Sequence, residues 1–252
     1  MVCVAALLLA LFAPTKDFQL ESPHVLLSFR TDQSIFPREW QTLEIDPVAE
    51  PLPVFEEGAC VTAIREELRR YPTAVVEKNL KGVFIGQGLR FYGLQYGGTN
   101  SLDSLYLSLP GWHDRVLADR FLRRAFHHEF SSILLRNYAT RFRQGEWESA
   151  LPTGFKYSGD GAQSLREGKS STRYEARYNR QGFLAEYSTS SLEEDFNLFA
   201  EAIFCGDPEF WRLYDTFPAI AVKADLVLAL YASIDPAMDA KSLRGLAQGP
   251  LM

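Results

Sequence analysis

The sequence predicts an α+β fold in which a small sheet packs on a long buried helix and a helical C-terminal half follows. Three observations carry that expectation. Val83–Ile85, Leu89–Tyr92 and Leu105–Leu109 are short β-type runs, broken by Gly86, Gly88 and the Gly97-Gly98-Thr99-Asn100 turn. After Pro110-Gly111, Asp114 stands as the N-cap of a helical pattern that runs to Tyr138 and is apolar on nearly every side, the mark of a buried helix. Beyond Ser190 the chain reads as successive helices.

In chain order, Val2–Ala13 is a continuous apolar run followed by Pro14, Thr15 and Lys16. It is too short to span a bilayer comfortably and matches the apolar part of a signal peptide, although the basic residues that usually precede one are missing. Residues 1–15 are therefore read as a signal peptide or apolar N-terminal segment, with a buried first strand or helix as the alternative. The protein is expected to be exported, periplasmic or extracellular, with residues 16–252 as one domain and no stable membrane span. Cys60 and Cys205 would then be the remaining cysteines, and either one disulfide or two buried thiols fits them.

Phe18–Pro53 reads as extended, loosely patterned lead-in. Glu56–Tyr71 is a helix stopped by Pro72, with Val61, Ile64 and Leu68 on one face. The sheet is expected within Leu80–Leu109. Within the long helix, Val116, Leu117, Phe121, Ala125, Phe126, Phe130, Ile133 and Leu134 are the apolar positions. Thr153–Arg180 is polar, without hydrophobic period, and reads as a long surface loop of the kind that is often functional. Phe183–Tyr187 leads into Ser191 and a helix to Phe204. Asp207-Pro208 opens another helix, and Ala219–Ala232 is the last.

With 26 Lys and Arg against 32 Asp and Glu, and no basic cluster interleaved with aromatics, nothing points to nucleic acid. Chemistry gathers instead at His127-His128-Glu129, within the apolar run of the long helix. In the zinc-hydrolase signature H-E-x-x-H the two imidazoles lie at i and i+4 on one face, with the Glu as general base. His128-Glu129 supplies the first half, but Ser132 stands at the second ligand position. A neutral hydroxyl is a poor zinc donor beside imidazole. His127 does not share the His128 face and joins only if the helix distorts locally. His113 lies roughly 20 Å up the same helix axis, out of reach. The plain alternative is that His127 and His128 are hydrogen-bonded structural histidines.

The order of sheet, His-Glu helix, polar loop, Tyr segment and acidic helix resembles the bacterial zinc-binding metallopeptidases of gluzincin type, and more distantly the catalytic domain of anthrax lethal factor. The stretches that carry the resemblance are HHEFSSIL (127–134), LPTGFKY (151–157), GFLAEYSTSSLEEDF (182–196) and FAEAIF (199–204), within residues 80–232. It implies a zincin-like fold, a Zn²⁺ cofactor and a peptide or protein substrate. It also implies His128 as first zinc ligand, Glu129 as general base, Glu194 as downstream ligand and Tyr187 as hydrogen-bond donor to a developing oxyanion. Glu201, two helical turns beyond Glu194, is the alternative ligand or the partner that orients the histidine. Each has a plainer counterpart: a Ser191–Glu194 capping box, a packed aromatic at Tyr187 and a solvated Glu201.

Ser132 divides the functional expectation. One reading is a metallopeptidase-like protein with a degenerate zinc site and reduced or no catalysis. Another is an active zinc-dependent hydrolase using His128, Glu194 and a third ligand from His127 or Glu201. A third is a structural globule whose likeness to the family is accidental. The sequence leaves oligomeric state open.

Overall fold

The computed structural model describes residues 16–248, so the apolar run at 2–13 lies outside the described residues. The described chain starts with an antiparallel hairpin, Asp17–Glu21 (β1) and His24–Ser28 (β2). Sequence patterning places only lead-in there. Leu20, Val25 and Leu27 are buried, because this hairpin belongs to the main sheet rather than to a surface arm.

Val48–Glu50 (β3) is followed by the helices Val54–Leu68 (α1) and Thr73–Asn79 (α2). Five strands then come in quick succession: Gly82–Gly86 (β4), Gly88–Phe91 (β5), Leu94–Tyr96 (β6), Gly98–Asn100 (β7) and Ser104–Ser108 (β8). The main sheet has the order β1-β2-β4-β8-β7, with β2, β4 and β8 parallel and β7 an antiparallel edge. A parallel neighbour needs a crossover, which α1 and α2 provide between β2 and β4. A second sheet, β3-β5-β6, closes over a small aromatic cluster that includes Phe36, Phe91 and Tyr106.

The long helix Arg115–Asn137 (α3) begins where the sequence places it, with the Asp114 carboxylate accepting from the N–H groups of Val116 and Leu117. Ala118, Leu122, Phe126, Phe130, Ile133 and Leu134 are buried in the core. Val116 and Leu117 are not: they stand 63% and 50% exposed, so the first turn is apolar on its solvent side as well.

Gln144–Ser149 (α4) precedes the polar stretch, which is structured rather than a plain loop. It holds the short helices Gly161–Arg166 (α5) and Ala176–Asn179 (α6), the first capped by Asp160 accepting from Gln163 N–H. Leu192–Phe204 (α7), Pro208–Thr216 (α8), Pro218–Ile234 (α9) and Ala240–Gly245 (α10) complete the helical half, α8 and α9 each opening on proline. The fold is thus α+β, with the sheet on α3 and helices beyond. One continuous core runs from Leu20 to Leu243, and α7 lies directly along α3 within it. Among the described residues no helix is long and apolar enough to cross a membrane. Cys60 and Cys205 are both free thiols.

Candidate functional site

Successive residues on a helix are turned by about 100°, so His127, His128 and Glu129 enter three different surroundings. His127 is fully buried on the α1 side. Its Nε2 lies 2.8 Å from a Glu67 oxygen and its Nδ1 2.8 Å from the Tyr71 hydroxyl. Burial keeps its pKa below the ordinary value, against the pull of Glu67. A neutral ring donating from Nε2 and accepting the Tyr71 proton at Nδ1 satisfies both contacts. Glu67 also takes Arg123 at 2.6 Å and pairs with Arg70. Burial opposes its ionisation, but His127 and these guanidinium groups hold the carboxyl down at about 2.

His128 faces α7. Its Nε2 is 2.8 Å from Glu194 Oε2, and its Nδ1 is 3.1 Å from Glu201 Oε2. Glu194 and Glu201 are two turns apart, which brings both carboxylates onto the same imidazole. Burial disfavours the charge, yet the two carboxylates hold the pKa of His128 well above its usual value. An imidazolium donating from both nitrogens satisfies both contacts. The other Glu201 oxygen accepts from Arg124 Nε at 2.5 Å, and Arg124 continues to Asp207, which also receives the Tyr174 hydroxyl at 2.9 Å. Burial works against ionisation of Glu201, but Arg124 and His128 keep its pKa low. Ser191 caps α7 by accepting from the backbone N–H of Glu194, which leaves the Glu194 carboxylate free for His128. The cap and the histidine contact therefore coexist.

Glu129 turns toward the edge strand β7. Its Oε2 accepts from the Asn100 side-chain amide at 2.8 Å, and a Cβ on Gly98 would come within 2.9 Å of its side chain. Only a bare glycine lets the carboxyl lie that close to the strand. Burial pushes its pKa up to about 7, with the charge of His128 and the Asn100 amide working the other way. The Tyr187 ring is stacked on His128, with centroids 6.1 Å apart and planes at 22°. Burial, and then the nearby Glu194 carboxylate, raise its pKa. Above both lies the start of α5, where a Cβ on Gly161 would overlap the Glu194 carboxylate and the Tyr187 hydroxyl.

Ser132 and its neighbour Ser131 are buried against Asn197 of α7. Asn197 Nδ2 donates to Ser132 Oγ at 2.7 Å, and Ser131 Oγ donates to Asn197 Oδ1 at 2.6 Å.

The structure therefore brings His128, Glu129, Tyr187, Glu194 and Glu201 together, sets Ser132 beside them in its own amide–hydroxyl cluster, and turns His127 toward Glu67. His24 and His113 are exposed and outside the cluster. Asn100, Arg124, Gly161 and Asn197 were not singled out from the sequence. Of these Asn197 and Arg124 carry a signal: Asn197 falls between Glu194 and Glu201 at +3 and −4, and Arg124 stands at −4 from His128, each on the same helical face. Among the described residues no group of three or more His, Cys, Asp or Glu side chains is placed to hold a metal ion.

No family model matches the chain, and no curated protein matches it. A solved structure that it resembles is the crystal structure of a "putative zinc-binding metallo-peptidase" from Bacteroides caccae. The two share 15% identity and a TM-score of 0.49, over 81% of this chain and 82% of that one.

Proposed function

We propose that this chain is a metallopeptidase-like protein in which an imidazolium held between two carboxylates has replaced a zinc centre, with reduced or no catalysis. The observation that carries the reading is the 2.8 Å contact between His128 on α3 and Glu194 on α7. It joins the two helices through the pair of residues in which the family resemblance places its first and last ligands. An accidental likeness gives no reason for those two to meet.

The donor set does not fit a zinc ion. Catalytic zinc sites take three protein ligands with free lone pairs. Here both His128 nitrogens point at carboxylates, and the Ser132 hydroxyl is committed to the Asn197 amide. What the residues supply on their own is a carboxyl at Glu129 close to its titration point at neutral pH and the Tyr187 hydroxyl, beside a His128 whose charge Glu194 and Glu201 balance. Such a set of groups suits holding a peptide or protein segment rather than cutting it. The same reading takes the protein as exported, with residues 16–252 as one unit.

The competing reading is a working hydrolase with an unusual ligand set, favoured by the retention of Glu129 and Tyr187 beside His128. Elemental analysis of protein lacking residues 1–15, beside Glu194→Ala, separates the two. No zinc in either after incubation with the metal is the expected result. Near-stoichiometric zinc that disappears in Glu194→Ala overturns it and makes peptide hydrolysis the next assay.

A further inference from the structure

A cavity of about 400 Å³ lies beside the start of β7, between the β3-β5-β6 sheet and the beginning of α3. It borders the candidate site closely. Gly97 lines it, while the next residue, Gly98, backs onto Glu129. Nothing in the acid–base cluster uses it.

Its walls depend on missing side chains. A Cβ on Gly97 would strike the Phe121 ring, and one on Gly111 would strike the Gln87 amide. A Cβ on Gly88 would come within 3.0 Å of both the Gln95 amide and the Glu50 carboxylate. Three bare positions thus let one aromatic ring, two planar amides and one carboxylate close in on a common space. Trp112, 46% exposed, stands edge-to-face with Phe121 at 5.4 Å and extends the aromatic wall to the mouth.

The lining restricts what can bind. It contains no Lys, Arg or His, so an anion finds no counter-charge. Its one carboxylate, Glu50, is paired with Arg90 at 2.8 Å, so a cation finds little uncompensated charge. What remains is flat apolar ring surface beside amides that each donate and accept at once. A hydroxyl-bearing ring meets that description: its C–H face lies on the aromatic side chains, and its adjacent hydroxyls each give and take a hydrogen bond with an amide. We propose that this cavity is a binding subsite for a neutral saccharide unit. The assignment stands on the cavity alone and does not depend on whether His128 binds zinc.

The test is titration of the chain with chitobiose, cellobiose and maltose in turn, followed by saturation-transfer NMR. A blocked neutral peptide, acetyl-Ala-Gln-Ala-amide, is titrated alongside. Trp112→Ala and Gln95→Ala change partly exposed residues, and an unchanged Tm shows that each variant is folded. The expected result is saturable binding of at least one disaccharide, weakened about tenfold or more in both variants. No saturable saccharide binding overturns the assignment, as does binding that is indifferent to Trp112. Trp112-dependent binding of the peptide without saccharide binding also overturns it, and gives the cavity to a peptide side chain.

Discussion

Asn197 donates its side-chain amide to Ser132 Oγ at 2.7 Å while accepting from Ser131 Oγ at 2.6 Å, so one residue of α7 satisfies both buried hydroxyls of α3. Ser132 is therefore more than a missing ligand. The space into which an imidazole at that position would extend is filled by an amide that also needs its partners, because a buried polar group left unpaired costs about 1–3 kcal/mol.

It follows that Ser132→His alone does not rebuild a zinc site. The larger ring meets the Asn197 side chain in a packed region and strains it. Ser132→His is expected to be destabilised and to hold well below one equivalent of zinc. Adding Asn197→Ala makes room, and the double variant is expected to take up zinc and to lose it again when Glu194→Ala is added. Elemental analysis with urea unfolding reads both effects. Equal zinc content in the single and double variants would show that Asn197 is no obstacle.

Glu67 sets a second expectation. Its carboxyl is held at about 2, below its ordinary value, in spite of burial, by His127, Arg70 and Arg123. A depressed carboxyl stabilises the fold fully above the unfolded carboxylate range and loses that contribution as pH falls through its folded value. On the order of 3 kcal/mol of stability should thus disappear between pH 5 and pH 2. Glu67→Gln should be less stable at pH 7, since it leaves the guanidinium groups without their buried partner, and should show a flatter acid limb. Urea midpoints across that pH range check it; parallel acid limbs in the two proteins would contradict it.

The sequence made half of these relationships legible. Helical spacing is local, so it puts Glu194 and Glu201 on one face and marks His128-Glu129 on the other helix; that His128 meets Glu194 was implied only by the family resemblance. The Asp114 cap and the course of α3 were legible because they too are local. The Ser132–Asn197 contact was not, since residues 65 apart meet only through the packing of two helices. Nor was the membership of β1 and β2 in the main sheet, because β2 pairs in parallel with β4 across two intervening helices, and no local window records that pairing. Val116 and Leu117 show the converse limit, where apolar periodicity predicts burial and the first turn of α3 faces solvent.

Lys223 on α9 and Asp195 on α7 form a fully buried pair at 2.6 Å, with Tyr157 donating to the same Asp195 oxygen at 2.9 Å and the ammonium 4.0 Å from the Phe183 ring centroid. Removing one partner strands a charge in the core. Lys223→Met is expected to cost about 3–5 kcal/mol, whereas Asp195→Asn with Lys223→Met should recover most of that loss. A double-mutant cycle in urea measures the coupling. Additive losses would mean that the two residues act separately.

The last expectation concerns the segment over the cluster. Gly161 has ordinary backbone angles, so its lack of a side chain is a matter of space: a methyl group there overlaps the Glu194 carboxylate and the Tyr187 hydroxyl. Glu194 is not free to swing away, because His128 holds it. Gly161→Ala should therefore lift the start of α5 off the cluster, at a cost of about 1–3 kcal/mol. Gly145→Ala is the matched control, since a Cβ there meets nothing within 4 Å and alanine favours the helix. Hydrogen exchange over residues 158–166 should quicken in the first variant and stay unchanged in the second. Unchanged exchange in both would mean that α5 is anchored through its other contacts, chiefly the Ser158 and Gly159 N–H groups bonded to the Thr189 and Ser190 carbonyls, and that Glu194 yields instead.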